Sequence, residues 1–380
     1  MLDKNKNSKL LSLFSGTFGF TLISILIGLI IGAIVLSIAG YNPFEAYSVM
    51  FKGIFSKPKY IAYAIIYATP LIMTGLSVAF AFRTGLFNIG AEGQFIIGAL
   101  TAALTGYFLN LPPVIHVLVV FVLAATAAGL WGGISGFLKA KFGVHEVIST
   151  IMLNWIALYL NNYVVMLEGF KKPQSEASYE VLSTASIGLL EKWKLSEAGR
   201  EWLRNFPFLA DMMRAPINLG FIIAILLAIL VWFILNKTTL GYELRSVGFN
   251  KFAAEYGGIG VKKSIIISMM IAGALAGMAG AVQVLGVTKK VAVLAAMEGY
   301  GFDGIAVSLI GSNTALGSVL AGLLFGGLKY GGPKIQSALG APSEVVNIVM
   351  GTIVFFIAIP KFIKMMLSLR SKKRGEQDVR

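Results

Sequence analysis

T-T-L-G-Y-E-L-R-S-V-G-F-N-K-F-A-A-E-Y-G-G-I-G-V-K-K, Thr238 to Lys263, is amphipathic and mixed in charge between two long apolar runs. Tyr242, Leu244, Val247, Phe252, Ala253 and Tyr256 recur at roughly helical spacing, with Glu243, Arg245, Lys251 and Glu255 between them, so the spacing predicts one short helix with a sticky face. The segment is too polar to cross a bilayer. Gly241 and Gly248 permit tight bends, and the Gly257, Gly258, Gly260 cluster ends the helix and returns the chain to the next apolar run. Between two spans, such a segment offers a docking face to something soluble.

The flanking runs set the class. The chain of 380 residues is 57% hydrophobic and 13% charged, with a mean hydropathy of +0.79, against about 25% charged residues in soluble domains. Apolar runs long enough for helices of about 20 residues recur throughout. No period-two alternation marks a β-barrel. The expected fold is therefore all-α, a polytopic helical membrane protein. With no cysteine there is no disulfide, thiolate metal site or cysteine nucleophile, and with only His116 and His145 no histidine metal cluster is expected. The net charge of +14 gathers at the ends of apolar runs, so it is assigned to topology and anionic lipid headgroups rather than to nucleic acid. Lys4, Lys6 and Lys9 precede the first apolar run, which lacks a cleavage pattern and reads as a retained span.

Moving along the chain, spans are expected near 18–38, 61–82, 95–109, 114–138, 147–167, 217–235, 264–285, 305–310, 318–328 and 345–363. That gives about ten crossings, with residues 1–17 and the basic tail 364–380 in the cytoplasm and the transmembrane domain over 18–363. Tyr41 to Tyr60 and the turn around Gly331 to Pro342 are expected outside. So is 168–216, whose acidic and basic residues balance and whose Glu191–Leu209 part suggests a short helix on the membrane or on a partner.

Two spans are broken by polar, glycine-rich sequence. F-R-T-G-L-F-N-I-G-A-E-G-Q (Phe82 to Gln94) places Arg83, Asn88, Glu92 and Gln94 where a lipid-facing helix holds apolar groups, and G-S-N-T-A-L-G (Gly311 to Gly317) interrupts the eighth crossing at Asn313. Broken backbone at membrane depth is tolerated only when packed in protein or lining a wet cavity, so both breaks are expected inside. Asn88, Glu92, Gln94, Asn154 and Asn313 are the candidates to line a substrate pathway. Glu92 either braces the broken segment, against Arg83, Gln94 or a helix N-terminus, or touches substrate. Asn154, with Asn161 and Asn162, either ties helices together or faces a pore. Asp303 is expected to cap the start of the 305–310 piece.

The Phe82–Gln94 motif, the stretch Gly241–Ile259 and G-F-D-G-I-A-V-S-L-I-G-S-N-T-A-L-G-S-V-L-A-G (Gly301–Gly322) together resemble the membrane permease subunits of ABC importers, in the branch that carries sugars and branched-chain amino acids. The F-R-T-G-L-F-N-I-G-A-E-G-Q form is most similar to the nucleoside subgroup. The resemblance implies a type II-like importer permease of the plasma membrane. It implies a cytoplasmic ABC ATPase that grips a coupling helix within 238–263 through Gly241, Tyr242, Glu243, Arg245, Gly248, Asn250, Ala254, Glu255 and Gly258. A second, different permease chain and an extracellular lipid-anchored binding protein are implied as well. ATP and Mg would sit on the ATPase, since this chain has no G-x-x-x-x-G-K-[ST] loop and is expected to bind no cofactor and catalyse nothing itself. A sugar or branched-chain amino acid permease is the alternative, and an ion-coupled secondary transporter a more distant one.

Overall fold

The computed structural model describes residues 17–357. The readings for residues 1–16, for the end of the last span and for the tail 364–380 fall outside them. The described chain is helical apart from turns and a few isolated β-bridges, and it forms two compact units, one from the two ends of the chain (up to Gly53 and from Leu328) and one from Ile54–Gly327.

In the first unit, α1 (Thr17–Ile38) turns into α2 (Pro43–Phe55) with a bend of 119° between Leu26–Ile38 and Pro43–Phe55. The Asn42 carboxamide accepts from Phe44 N at 3.0 Å, and Pro43 opens α2, so most of the expected outer connection is helix. The Tyr47 hydroxyl donates to Leu29 O at 2.7 Å and pins the bend.

The second unit holds α3 (Pro58–Arg83), α4 (Ala91–Phe108), α5 (Pro113–Phe142), α6 (Glu146–Val165), the short α7 (Glu197–Arg204) and α8 (Pro207–Met212), and α9 (Gly220–Lys237). It continues through α10 (Thr239–Phe249), α11 (Lys251–Tyr256), α12 (Val261–Gln283) with a π-turn over Val284–Thr288, α13 (Tyr300–Ile310) and the first part of α14 (Ala315–Leu339). The last described helix, α15 (Ser343–Ile357), packs on α1 in the first unit.

The core is α12 against α3, α4 and α5. Its run A-G-A-L-A-G-M-A-G-A keeps side chains small, and a Cβ at Gly98 would lie 2.1 Å from Gly277 O, so the two backbones touch. The apolar window of α3 is 83% buried and that of α5 only 28%, so α3 is interior and α5 lies at the periphery of the unit. Among the described residues four helices are long and apolar enough to cross a membrane, or five with the bent α1–α2 pair. The ten expected crossings are not recovered by that measure, because α13 and α15 are too short and other segments are broken or polar.

Two local expectations are corrected. The 238–263 segment is two helices, because Asn250 turns extended (φ −158°) and its carboxamide accepts from Phe252 N and Ala253 N. The turn expected from Gly331 is helix as far as Leu339; Pro333 sits inside α14 and Gly340 (φ +66°) ends it. The 168–216 segment is tied down by bridges of Ala177 to Ala292 and Gly188 to Asn218.

Candidate functional site

The first break lies between α3 and α4 and is closed by side chains. Asn88 donates to Gln94 Oε1 at 2.8 Å, and Gln94 donates back to Asn88 Oδ1 at 3.1 Å. Asn88 Nδ2 also lies 3.1 Å from Ser77 Oγ on α3, whose hydroxyl donates to Ala272 O on α12 at 2.6 Å. From α6, Asn154 accepts from Gly93 N at 2.8 Å and donates to Ile89 O at 3.0 Å, so one carboxamide spans the break. The Ser77, Asn88, Gln94 and Asn154 side chains are all buried.

Glu92, fully buried on the first turn of α4, accepts from Gly299 N at 2.8 Å and from Gly301 N at 2.6 Å. Those amides begin α13, so the carboxylate meets the positive end of a helix dipole. The partner is thus a helix N-terminus; Arg83 instead donates from Nε to Asn313 O at 3.0 Å. The carboxylate on the Gly299 and Gly301 amides of α13 comes from α4 rather than from Asp303. Glycine at 301 is required by this approach, since a Cβ there would fall 2.1 Å from Glu92 N. Asn313 sits in the turn between α13 and α14 with φ +53° and accepts from Ser308 Oγ at 2.8 Å. The structure therefore brings Asn88, Glu92, Gln94 and Asn154 into one layer, with Asn313 apart from it.

At the end of this unit that carries 168–216 lies a cavity of about 200 Å³. Phe95 and Ile96 of α4, Asn161 of α6, Gln283 and Thr288 around the π-turn, and Lys290 line it. The Phe95 and Tyr300 rings stack 5.2 Å apart beside the Glu92 site. Asn161 and Asn162 hold the far wall, donating to Ala292 O and Leu294 O at 2.9 Å each. Lys289 locks the π-turn to the long segment, with Nζ 3.0 Å from Glu191 Oε1 and 2.8 Å from Leu285 O. Burial pushes the Glu191 carboxyl up, but the hydrogen bonds and charge of Lys289, with help from Ser186 and Lys194, outweigh it and hold the carboxyl below its ordinary value. Gln283 and Lys290 went unmarked in the sequence, where a lone amide near the end of an apolar run followed by T-K-K was the available signal.

The α10–α11 pair lies elsewhere. Leu244, Val247 and Ala254 are buried, while Tyr242, Phe249, Phe252 and Tyr256 stand in the open, Tyr256 at 97% exposure. The sticky face is therefore split, with its aliphatic side turned in and its rings turned out. Gly241 and Gly248 make close backbone approaches, the latter with a Cβ position 2.3 Å from Arg83 O, so α10 rests on the end of α3. Asn250 caps α11, Gly258 (φ +83°) turns the chain, Glu243 and Arg245 are half-buried, and Glu255 is exposed. Among the described residues no group of three or more His, Cys, Asp or Glu side chains is placed to hold a metal ion.

Residues 60–358 match the family model described as branched-chain amino acid transport system / permease component. The chain is 43% identical to the guanosine ABC transporter permease protein NupP of Bacillus subtilis, over 93% of this chain and 96% of that one. It is 35% identical to the nucleoside ABC transporter permease protein NupB of Lactococcus lactis (94% and 97% covered) and 30% identical to a glucose ABC transporter permease of Haloferax volcanii (91% and 88%). No solved structure matches it.

Proposed function

The chain belongs to the branched-chain amino acid transport system / permease component family, as a multi-pass membrane permease subunit of an ABC importer, and from that premise we propose that its cargo is a nucleoside, carried inward. The observation that supports this reading is the similarity, along nearly the whole of both chains, to permeases named for guanosine and for nucleosides, at higher identity than to the glucose permease.

A cytoplasmic ABC ATPase docks on α10 and α11 and hydrolyses ATP there, with its Mg; this chain supplies neither catalysis nor a cofactor site. The exposed rings of Phe249, Phe252 and Tyr256, beside Tyr242, Glu243, Arg245 and Glu255, form the surface it would cover. Gly241, Gly248, Asn250, Ala254 and Gly258 shape that surface. Force applied to α10 passes through Gly248 to Arg83, and from there to the break held by Asn88, Gln94 and Asn154. A second, different permease chain completes the pathway, and a lipid-anchored binding protein outside delivers cargo near 168–216. Both termini are then cytoplasmic, in the plasma membrane.

The test is uptake of labelled guanosine, uridine, ribose, glucose and leucine by cells with and without this chain. Selective loss of ATP-dependent nucleoside uptake is expected. Loss of glucose, ribose or leucine uptake instead overturns the nucleoside assignment, and uptake that survives ATP depletion but collapses with the ion gradient overturns the ABC mechanism.

A further inference from the structure

We propose that the cavity beside the π-turn is where this chain itself receives the base of a nucleoside; the inference rests on the nucleoside reading above and assigns it a site. π-turns recur at functional positions because they displace side chains from the regular helical ladder. Here the turn over Val284–Thr288 leaves the half-buried Gln283 carboxamide with no hydrogen-bond partner among the described residues, on the wall of the cavity. An amide carries both a donor and an acceptor, the pair needed to read the edge of a purine or pyrimidine. Lys290, on the same wall, has no carboxylate within ion-pairing distance among the described residues, so its ammonium is available to a ring carbonyl.

Asn161, Thr288 and Glu298 add polar groups, and the remaining lining is apolar. Phe95, Ile96, Ala99 and Val284 suit the faces of a flat heterocycle better than a free sugar ring, which needs polar partners on all sides. Size narrows the choice further, because about 200 Å³ is below the roughly 300–1,000 Å³ that encloses a drug-sized ligand. The base enters and the ribose stays at the mouth, beside Glu298. The inner end is shut by the Phe95–Tyr300 stack and by Glu92 on the start of α13, so the cavity is a vestibule that must open inward for passage.

The chain has no cysteine, so Thr288→Cys, in the cavity lining with Gln283 and Lys290 left in place, creates a single thiol in this subunit. In the assembled transporter, with its binding protein and ATPase, the rate of maleimide labelling is measured with guanosine, glucose or leucine present. Leu195→Cys, on an exposed residue of the long segment, is the control. Guanosine is expected to slow labelling at Thr288→Cys about tenfold, glucose and leucine to leave it unchanged, and Leu195→Cys to be unaffected by any of them. No slowing in a variant that still imports guanosine overturns the site and leaves the nucleoside reading standing. Slowing by glucose, in a transporter that imports no nucleoside, overturns both. Equal slowing at Leu195→Cys shows a covering partner rather than an occupied cavity and also overturns the site. If Thr288→Cys does not assemble, Leu294→Cys in the same lining gives the same readout.

Discussion

The break between α3 and α4 and the α10–α11 pair hold opposite kinds of residue in opposite states. At the break, polar side chains are buried and matched with one another: Asn88 with Gln94, Asn154 with two backbone groups, Glu92 with the first amides of α13. At α10–α11, Phe249, Phe252 and Tyr256 face outward. Polar groups in a membrane segment are costly unless satisfied, so their presence identifies where the fold is braced; rings left in the open identify where something else must bind.

The largest effect follows from removing the central brace. Glu92→Ala strips the partner from two amides at the start of α13, at about 1–3 kcal/mol for each unsatisfied buried donor, and should sharply lower the yield and melting temperature of the purified protein. A melting temperature equal to wild type would show that the layer is not structural. Next, the Phe252→Ala, Tyr256→Ala double variant should leave thermal stability unchanged while weakening ATPase association by about 2 kcal/mol or more, the scale of aromatic hot spots. Full co-purification of the ATPase would refute the docking surface, and lost stability would mean that the rings belong to this fold. Asn154→Leu comes third, with about 1–3 kcal/mol for the Gly93 N–H left without an acceptor, read as a lower detergent melting temperature with an intact α10–α11 surface.

The smallest effect is electrostatic and lies on the outer segment. The folded pKa of Glu191 is depressed, so the Glu191–Lys289 contact is fully present above the ordinary carboxylate value near 4.5 and is lost as pH falls through the lower folded value. Trp193 is two residues away, and its fluorescence should change below about pH 4.5; Lys289→Met should move that change up towards the ordinary carboxylate value. A midpoint that Lys289→Met leaves in place would place the titration elsewhere.

Much of this arrangement was written in local sequence. The apolar runs predicted α3, α5, α6, α9 and α12 within a few residues, because hydrophobic length is a property of neighbours along the chain. That Asn88, Glu92 and Gln94 lie inside was legible as well, since they could not face lipid, whereas Phe82, Arg83 and Gly85 at the start of that stretch are exposed. What brings Glu92 to Gly299 and Gly301 is tertiary, however, and no local pattern linked them. The split at Asn250 turned on one capping carboxamide inside an otherwise helical pattern. In the same way the turn expected from Gly331 is helix as far as Leu339, and Gln283 was hidden at the end of an apolar run, where nothing local shows that its amide lines a cavity.

Two hydrogen bonds from one carboxylate fix direction as well as distance. With Glu92 gripping two amides two residues apart, α4 and α13 cannot twist about each other without breaking at least one bond. The two helices are held as one unit, and Gly98 against Gly277 seats that unit backbone to backbone on α12.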